Sequence, residues 1–240
     1  MLFFIFPNLF TTANLFLGFY SIISATRGEF TAAALSIMLA ALTDGLDGRI
    51  ARLTNTQSAF GEEYDSMADL VSFGIAPAVM MFHWALAPYG RYGWVASFFY
   101  LTCAALRLAR FNVLKQSGEK RYFQGCPSPV AACTAASAVL FYDRMGLVAW
   151  KNMFILIVIS GLAAAMVSTV RYRSFKDLNF RSQQIFAYVL VVFATGVVYS
   201  ASPEWVLFPL FVFYLVTAPL GESLRLLRRS FRWIPGTGRS

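Results

Sequence analysis

Phe30-Thr-Ala-Ala-Ala-Leu-Ser-Ile-Met-Leu-Ala-Ala-Leu-Thr-Asp44-Gly-Leu-Asp47-Gly-Arg49 is apolar for most of its length and ends in a cluster of charge. A run of about 20 mostly apolar residues is what an α-helix needs to cross the hydrocarbon of a bilayer. In lipid the backbone must satisfy itself, which leaves helices or a closed barrel, and this run is too long and too continuously apolar for a barrel strand. Seven further segments read the same way: Leu9–Ala25, Asp65–Pro88, Tyr92–Phe111, Pro129–Tyr142, Trp150–Val170, Gln184–Ser200 and Trp205–Leu220. The expected fold is therefore all-α, a polytopic membrane bundle of about eight transmembrane helices. Composition agrees, because 58% of the 240 residues are hydrophobic and 13% are charged. Soluble domains average about 45–50% apolar and about 25% charged residues.

The net charge of +8 is not spread in the manner of a nucleic-acid surface. It sits in short clusters between the apolar runs, where it sets topology and meets anionic lipid. If eight spans alternate, sixteen of the 20 basic residues fall on one side, including Arg49, Arg52, Arg107, Arg110 and the tail arginines. The positive-inside rule then puts both termini and the basic loops in the cytoplasm, and an odd number of spans would spoil this agreement. Residues 1–224 read as one membrane domain and residues 225–240 as a basic cytoplasmic tail, an anchor on anionic lipid. The first residues lack the basic start of a secretory signal and are read as mature protein. Cys103, Cys126 and Cys133 have no metal-ligand spacing and are expected to be free, buried thiols.

The acids carry the chemistry. Asp44 and Asp47 are three apart and Asp65 and Asp69 four apart, so on helices each pair shares a face. The polar stretch 53–60 can turn the chain back, so two antiparallel helices present four carboxylates to one point. Such a cluster repels itself unless cations sit within it, and hard oxygen ligands suit magnesium, manganese or calcium. Two metals bridged by aspartates stabilise phosphoryl charge and activate an attacking hydroxyl. Gly48 and Ala51 remove side-chain bulk beside the acids, Arg52 can grip a phosphate bidentately, and Gly61 allows close packing at the end of the turn. An ion pathway is the competing reading, since acids at membrane depth also line transport routes. A transporter would favour acids at the midplane on several spans, however, and these four gather at one hairpin end.

The stretch from Asp44 to Asp69 resembles the signature D-x2-D-G-x2-A-R-x8-G-x3-D-x3-D of the CDP-alcohol phosphatidyltransferase family. Asp44, Asp47, Gly48, Ala51, Arg52, Gly61, Asp65 and Asp69 fill every fixed position. The resemblance implies that Asp44, Asp47 and Asp65 ligate metal, and that Asp69 sits at the metal centre as general base. It implies that Asp44, Gly48, Ala51, Arg52 and Gly61 form the CDP site. The implied cofactor is Mg2+ or Mn2+, two ions, with Ca2+ admissible in one position. The implied partners are CDP-diacylglycerol, an alcohol acceptor, CMP, membrane lipid and a second copy of the chain. The implied location is the cell's inner membrane, with the active site facing the cytoplasm.

Three flanking stretches narrow the acceptor. Asp65–Ala78, Arg107-Leu-Ala-Arg-Phe-Asn112 and Phe123-Gln-Gly-Cys-Pro-Ser-Pro129, with Pro7-Asn8 and Asn14, resemble the branch of the family whose acceptor is L-serine. Arg107 and Arg110 lie three apart on one helix face and could hold the donor phosphate or the serine carboxylate. They could equally serve as a positive-inside signal. Asn112 is a candidate substrate contact or helix cap, and Arg121 a weaker phosphate contact. Glycerol phosphate, inositol or another alcohol are the alternative acceptors. A covalent phosphohistidine route needs paired His-Lys motifs, whereas the single histidine, His83, sits in an apolar run beside Trp84.

Overall fold

The computed structural model describes residues 5–53, 58–116, 125–145, 151–168, 207–213 and 215. All regular structure among them is helical: α1 (Ile5–Thr26), α2 (Phe30–Leu53), α3 (Ala59–Asp69), α4 (Ala76–Met81), α5 (Arg91–Gln116), α6 (Ser128–Met145) and α7 (Lys151–Val167). Between α3 and α5 the helix does not break but changes pitch. Wider π-helical turns occupy Leu70–Ile75 and Phe82–Leu86 on either side of α4, and a 3-10 turn at Ala87–Tyr89 ends the run. Asn8–Thr26, Phe30–Asp47 and Ala59–Tyr89 are long and apolar enough to cross a membrane, and Met153–Val167 is a shorter apolar helix.

The described helices overlap the expected apolar segments; α1 to α3, α5 and α6 extend beyond them, whereas α7 stops inside Trp150–Val170. The largest difference is in the third segment, which begins at Ala59 rather than Asp65. Ser58 is the reason: its hydroxyl accepts the Gly61 N–H at 3.0 Å and satisfies one of the donors that a helix start leaves over. Asp65 and Asp69 thus lie within a helix, not at its mouth. The expected seventh span, the tail 225–240 and Arg121 fall outside the described residues; of the eighth span, 207–213 are helical.

Small residues hold the first two helices together. Gly28, at φ +81°, ends α1. The Gly28 and Glu29 N–H groups turn back to the carbonyls of Ala25 and Ser24, the closure that a left-handed residue permits at a helix C-terminus. The chain reverses, and α2 lies along α1 through buried Ala33, Ala34, Ile37 and Ala40, while Leu35, Leu39, Leu42 and Leu46 face outward. Close backbone approach through small residues is how helices associate in lipid, where burying leucine gains nothing over leaving it in hydrocarbon. Further pairings join α2 to α6 and α5 to α7. Tyr100 of α5 is fully buried, and its hydroxyl donates to the Phe73 carbonyl in the first π turn at 3.1 Å.

Gly125 makes the junction before α6. It has φ +84°, a Cβ there would collide with the Met166 carbonyl of α7, and the neighbouring Cys126 N–H donates to Ala165 O at 2.9 Å. Gly125→Ala is expected to cost about 1–3 kcal/mol, through both backbone strain and the collision. The measurement is thermal unfolding in detergent, and an unchanged midpoint would show that this junction does not hold α6 to α7. Cys103, Cys126 and Cys133 are free and buried, as their spacing implies.

Candidate metal centre

Three carboxylates converge where α2 and α3 face each other. Asp44 and Asp47 stand one turn apart on α2, Asp65 comes from α3, and one oxygen from each lies within 4.8 Å of the others. Asp47 is buried and the other two are half-buried. An all-carboxylate set of hard oxygens at this spacing fits a divalent cation of the magnesium or manganese type. It does not fit a soft-metal site, which would call for thiolate or imidazole.

Asp69, one turn beyond Asp65, lies outside this trio of converging oxygens but close enough to interact electrostatically with Asp44, Asp65 and Asp47. Its partner is Asn14 of α1, whose Nδ2 donates to Asp69 Oδ1 at 3.2 Å. The same helix reaches the carboxylate cluster one turn earlier, where the Thr11 hydroxyl donates to Asp47 Oδ2 at 3.1 Å. Thr12 meets the Tyr64 hydroxyl at 3.0 Å. The site thus has three helical walls, of which α1 contributes polar side chains and none of the acids.

The motif's small residues divide. Gly61 sits against the Ser58 cap: a Cβ there would lie 3.1 Å from Ser58 Oγ and 3.6 Å from Asn8 Oδ1, so its smallness serves the start of α3. Gly48, Ala51 and Arg52 lie on α2, one to two turns past Asp44, and their side chains fall outside the described residues.

Arg107 and Arg110 leave α5 for different destinations. Arg107 is only 8% exposed; one terminal nitrogen donates to Ser128 Oγ at 2.8 Å, and its Nε has no partner among the described residues. It lies within electrostatic range of Asp69 and Asp44, whose charge is opposite to its own. Arg110 instead donates to Val167 O at 3.3 Å, at the C-terminal end of α7 where a cation is favoured. Asn112 donates to Ser66 Oγ at 3.0 Å and ties α5 to α3 beside Asp65. Spacing alone put both arginines on one face; packing against α6 and α7 separated their tasks. Thr11 and Ser128 received no role from the sequence, and Asn14 figured only in the resemblance. Their signal was polar residues in otherwise apolar surroundings.

Comparison with known proteins points to one family. A family model described as CDP-alcohol phosphatidyltransferase matches residues 4–170. A CDP-diacylglycerol–serine O-phosphatidyltransferase of Helicobacter pylori is 36% identical over 190 residues, 78% of this chain and 79% of the relative. The enzyme of the same name from Mycobacterium leprae is 32% identical over 223 residues, 90% of this chain and 73% of the relative. An archaetidylserine synthase of Methanothermobacter thermautotrophicus is 36% identical over 170 residues, 69% of this chain and 68% of the relative.

Proposed function

Because the chain belongs to the CDP-alcohol phosphatidyltransferase family, we infer that it transfers the phosphatidyl group of CDP-diacylglycerol to the hydroxyl of L-serine, releasing CMP. The observation that carries the reading is the convergence of Asp44, Asp47 and Asp65 beside Asp69, within a chain similar to serine-using relatives over most of its length.

The residues divide the work. Asp44, Asp47 and Asp65 would hold Mg2+ or Mn2+; bound there, the metal supplies positive charge for the diphosphate and the departing phosphate. Asp69 takes the proton from the serine hydroxyl. The serine oxygen forms its bond to the lipid-side phosphorus as the bond from that phosphorus to the CMP oxygen breaks, and CMP leaves with that electron pair. Gly48 and Ala51 leave room for the cytidine diphosphate, Arg52 holds its phosphates, and Gly61 seats the start of α3 on its Ser58 cap. The displacement is direct, with the serine oxygen itself as the nucleophile and Asp69 as its base.

Arg107 is the candidate for the serine carboxylate. Its guanidinium is buried, anchored at one nitrogen on Ser128 and unpartnered at Nε. Arg107→Lys keeps the charge but loses the planar fork. We expect it to raise KM for serine by about 10-fold, the cost of roughly one charge-assisted hydrogen bond, with the donor's KM little changed. Initial rates over a serine series check this. A rise confined to the donor's KM would move Arg107 to the phosphate, and no change in either would leave it a structural anchor.

Eight spans, cytoplasmic termini, an inner-membrane location and a homodimer complete the proposal. The basic loops support the orientation, since both a lipid donor and water-soluble serine reach a cytoplasmic face. The deciding experiment is CMP release by the purified protein from CDP-diacylglycerol under Mg2+ and Mn2+, with serine, inositol, glycerol phosphate and choline compared. Release with serine supports the assignment. Release only with another alcohol replaces the acceptor, and no release with any of them removes the enzyme reading in favour of an ion path.

A further inference from the structure

The acids of the cluster stand on α2 and α3, yet two of them are held from α1. Thr11 and Asn14 lie three residues apart on one face of that helix, and the same face carries Gly18 one turn further on. Thr11 donates to Asp47 Oδ2, and Asn14 donates to Asp69 Oδ1. Asn14 is fully buried, so its amide stays dry and keeps a fixed direction. A carboxylate can only accept, so the amide must turn Nδ2 toward Asp69, leaving Oδ1 as a buried acceptor with no partner among the described residues.

Gly18 sets the register of this face. α1 crosses the π turn that follows Asp69 so closely that a Cβ at Gly18 would fall on Ser72 Oγ and lie 2.7 Å from Ser72 Cα. At the same crossing the Ser72 hydroxyl donates to the Asn14 carbonyl at 2.8 Å. The wider π turn and the absent side chain at Gly18 let two backbones nearly touch, which brings the Asn14 amide within bonding distance of Asp69. Such turns recur at functional sites because they re-aim one face of a helix.

We propose that α1 is the positioning element of the reaction, with Asn14 orienting the base Asp69 and Thr11 orienting the metal-ligating Asp47. The proposal rests on the roles given to Asp69 and Asp47 above. With Oδ1 engaged by Asn14, Asp69 presents Oδ2 to the serine hydroxyl. The two contacts therefore act on different quantities. Asn14 governs turnover through the orientation of the base, and Thr11 governs metal affinity through the orientation of a ligand. Groups that orient metal ligands from behind are worth about 10- to 100-fold in affinity or activity.

The test uses the full-length protein in detergent and measures two things for each variant: Mn2+ affinity by titration of the free-ion spin-resonance signal, without substrate, and kcat and KM for CMP release. Asn14→Leu, close in size and without a donor, is expected to lower kcat by about 10- to 100-fold. Its Mn2+ affinity and the KM for serine should stay near wild type. Asn14→Ser, which keeps a shorter donor, should recover part of the loss. Thr11→Val is expected to weaken Mn2+ binding by about 10-fold or more. Gly18→Ala should follow Asn14→Leu in kcat, because it pushes α1 off Ser72. Retained Mn2+ binding in Asn14→Leu also reports that the variant has folded. If kcat of Asn14→Leu stays within about 3-fold of wild type, or if both variants lose metal and turnover together, α1 only packs and the proposal is overturned. Should the wild type bind Mn2+ but release no CMP with any alcohol, the reaction reading fails instead, and the Thr11→Val titration still decides the metal half.

Discussion

Asp69→Asn is expected to lower kcat for CMP release by about 10^2- to 10^4-fold, the range spanned by general acid–base catalysis. The substitution is nearly isosteric, and an amide oxygen can still accept the Asn14 N–H that now reaches Oδ1 at 3.2 Å. The packing of α3 on α1 therefore survives, and so do Asp44, Asp47 and Asp65, whose oxygens converge without help from Asp69. What disappears is the ability to take a proton from the acceptor hydroxyl. The unfolding midpoint and Mn2+ affinity should stay close to wild type while turnover falls, and that pairing separates a lost base from a lost fold. An Asp69→Asn protein with full turnover would remove Asp69 from the chemistry.

Asp47→Ala is expected to show the opposite pattern. It deletes one of three converging carboxylates and with it the contact that the Thr11 hydroxyl makes to Asp47 Oδ2. Losing a ligand outright should cost more than losing a group that merely orients one, hence more than about 100-fold in apparent metal affinity. Turnover at ordinary Mg2+ or Mn2+ should fall to background and return in part as the ion is raised. The rise in unfolding temperature that Mn2+ produces in the wild type should shrink in step, because a ligand bound only by the folded state stabilises it by mass action. Chelation should reproduce the variant's inactivity in the wild type and be reversed by added ion. Turnover that persists in the Asp47→Ala protein after chelation would separate this cluster from the reaction.

The two variants probe parts of the site that the sequence displayed unequally. The acids were visible because helical periodicity is a local property: residues three or four apart share a face wherever the helix goes. The same local rule put Arg107 and Arg110 on one helix face, but it could not say where each side chain ends. Arg107 turns inward to Ser128 of α6, and Arg110 bonds the end of α7. Which side chain meets which neighbour depends on helices distant in the chain, and spacing within α5 carries no information about them. Asn112 met the same limit, since its Ser66 partner lies 46 positions away.

The apolar runs determined by themselves that the chain forms helices in lipid, since no other open structure satisfies a backbone there. The spacing of Asp44, Asp47, Gly48, Ala51, Arg52, Gly61, Asp65 and Asp69 determined the family and the kind of chemistry, because ligand type and helical pitch are both written locally. Tertiary structure alone decided which oxygens converge and what holds them. It placed Asp69 beside the carboxylate trio rather than within it, and drew Thr11 and Asn14 of α1 onto Asp47 and Asp69. The physical reason is the crossing at Gly18 and Ser72, where a missing side chain and a widened turn let two helices approach to contact distance. Neither residue predicts that contact until the other is beside it.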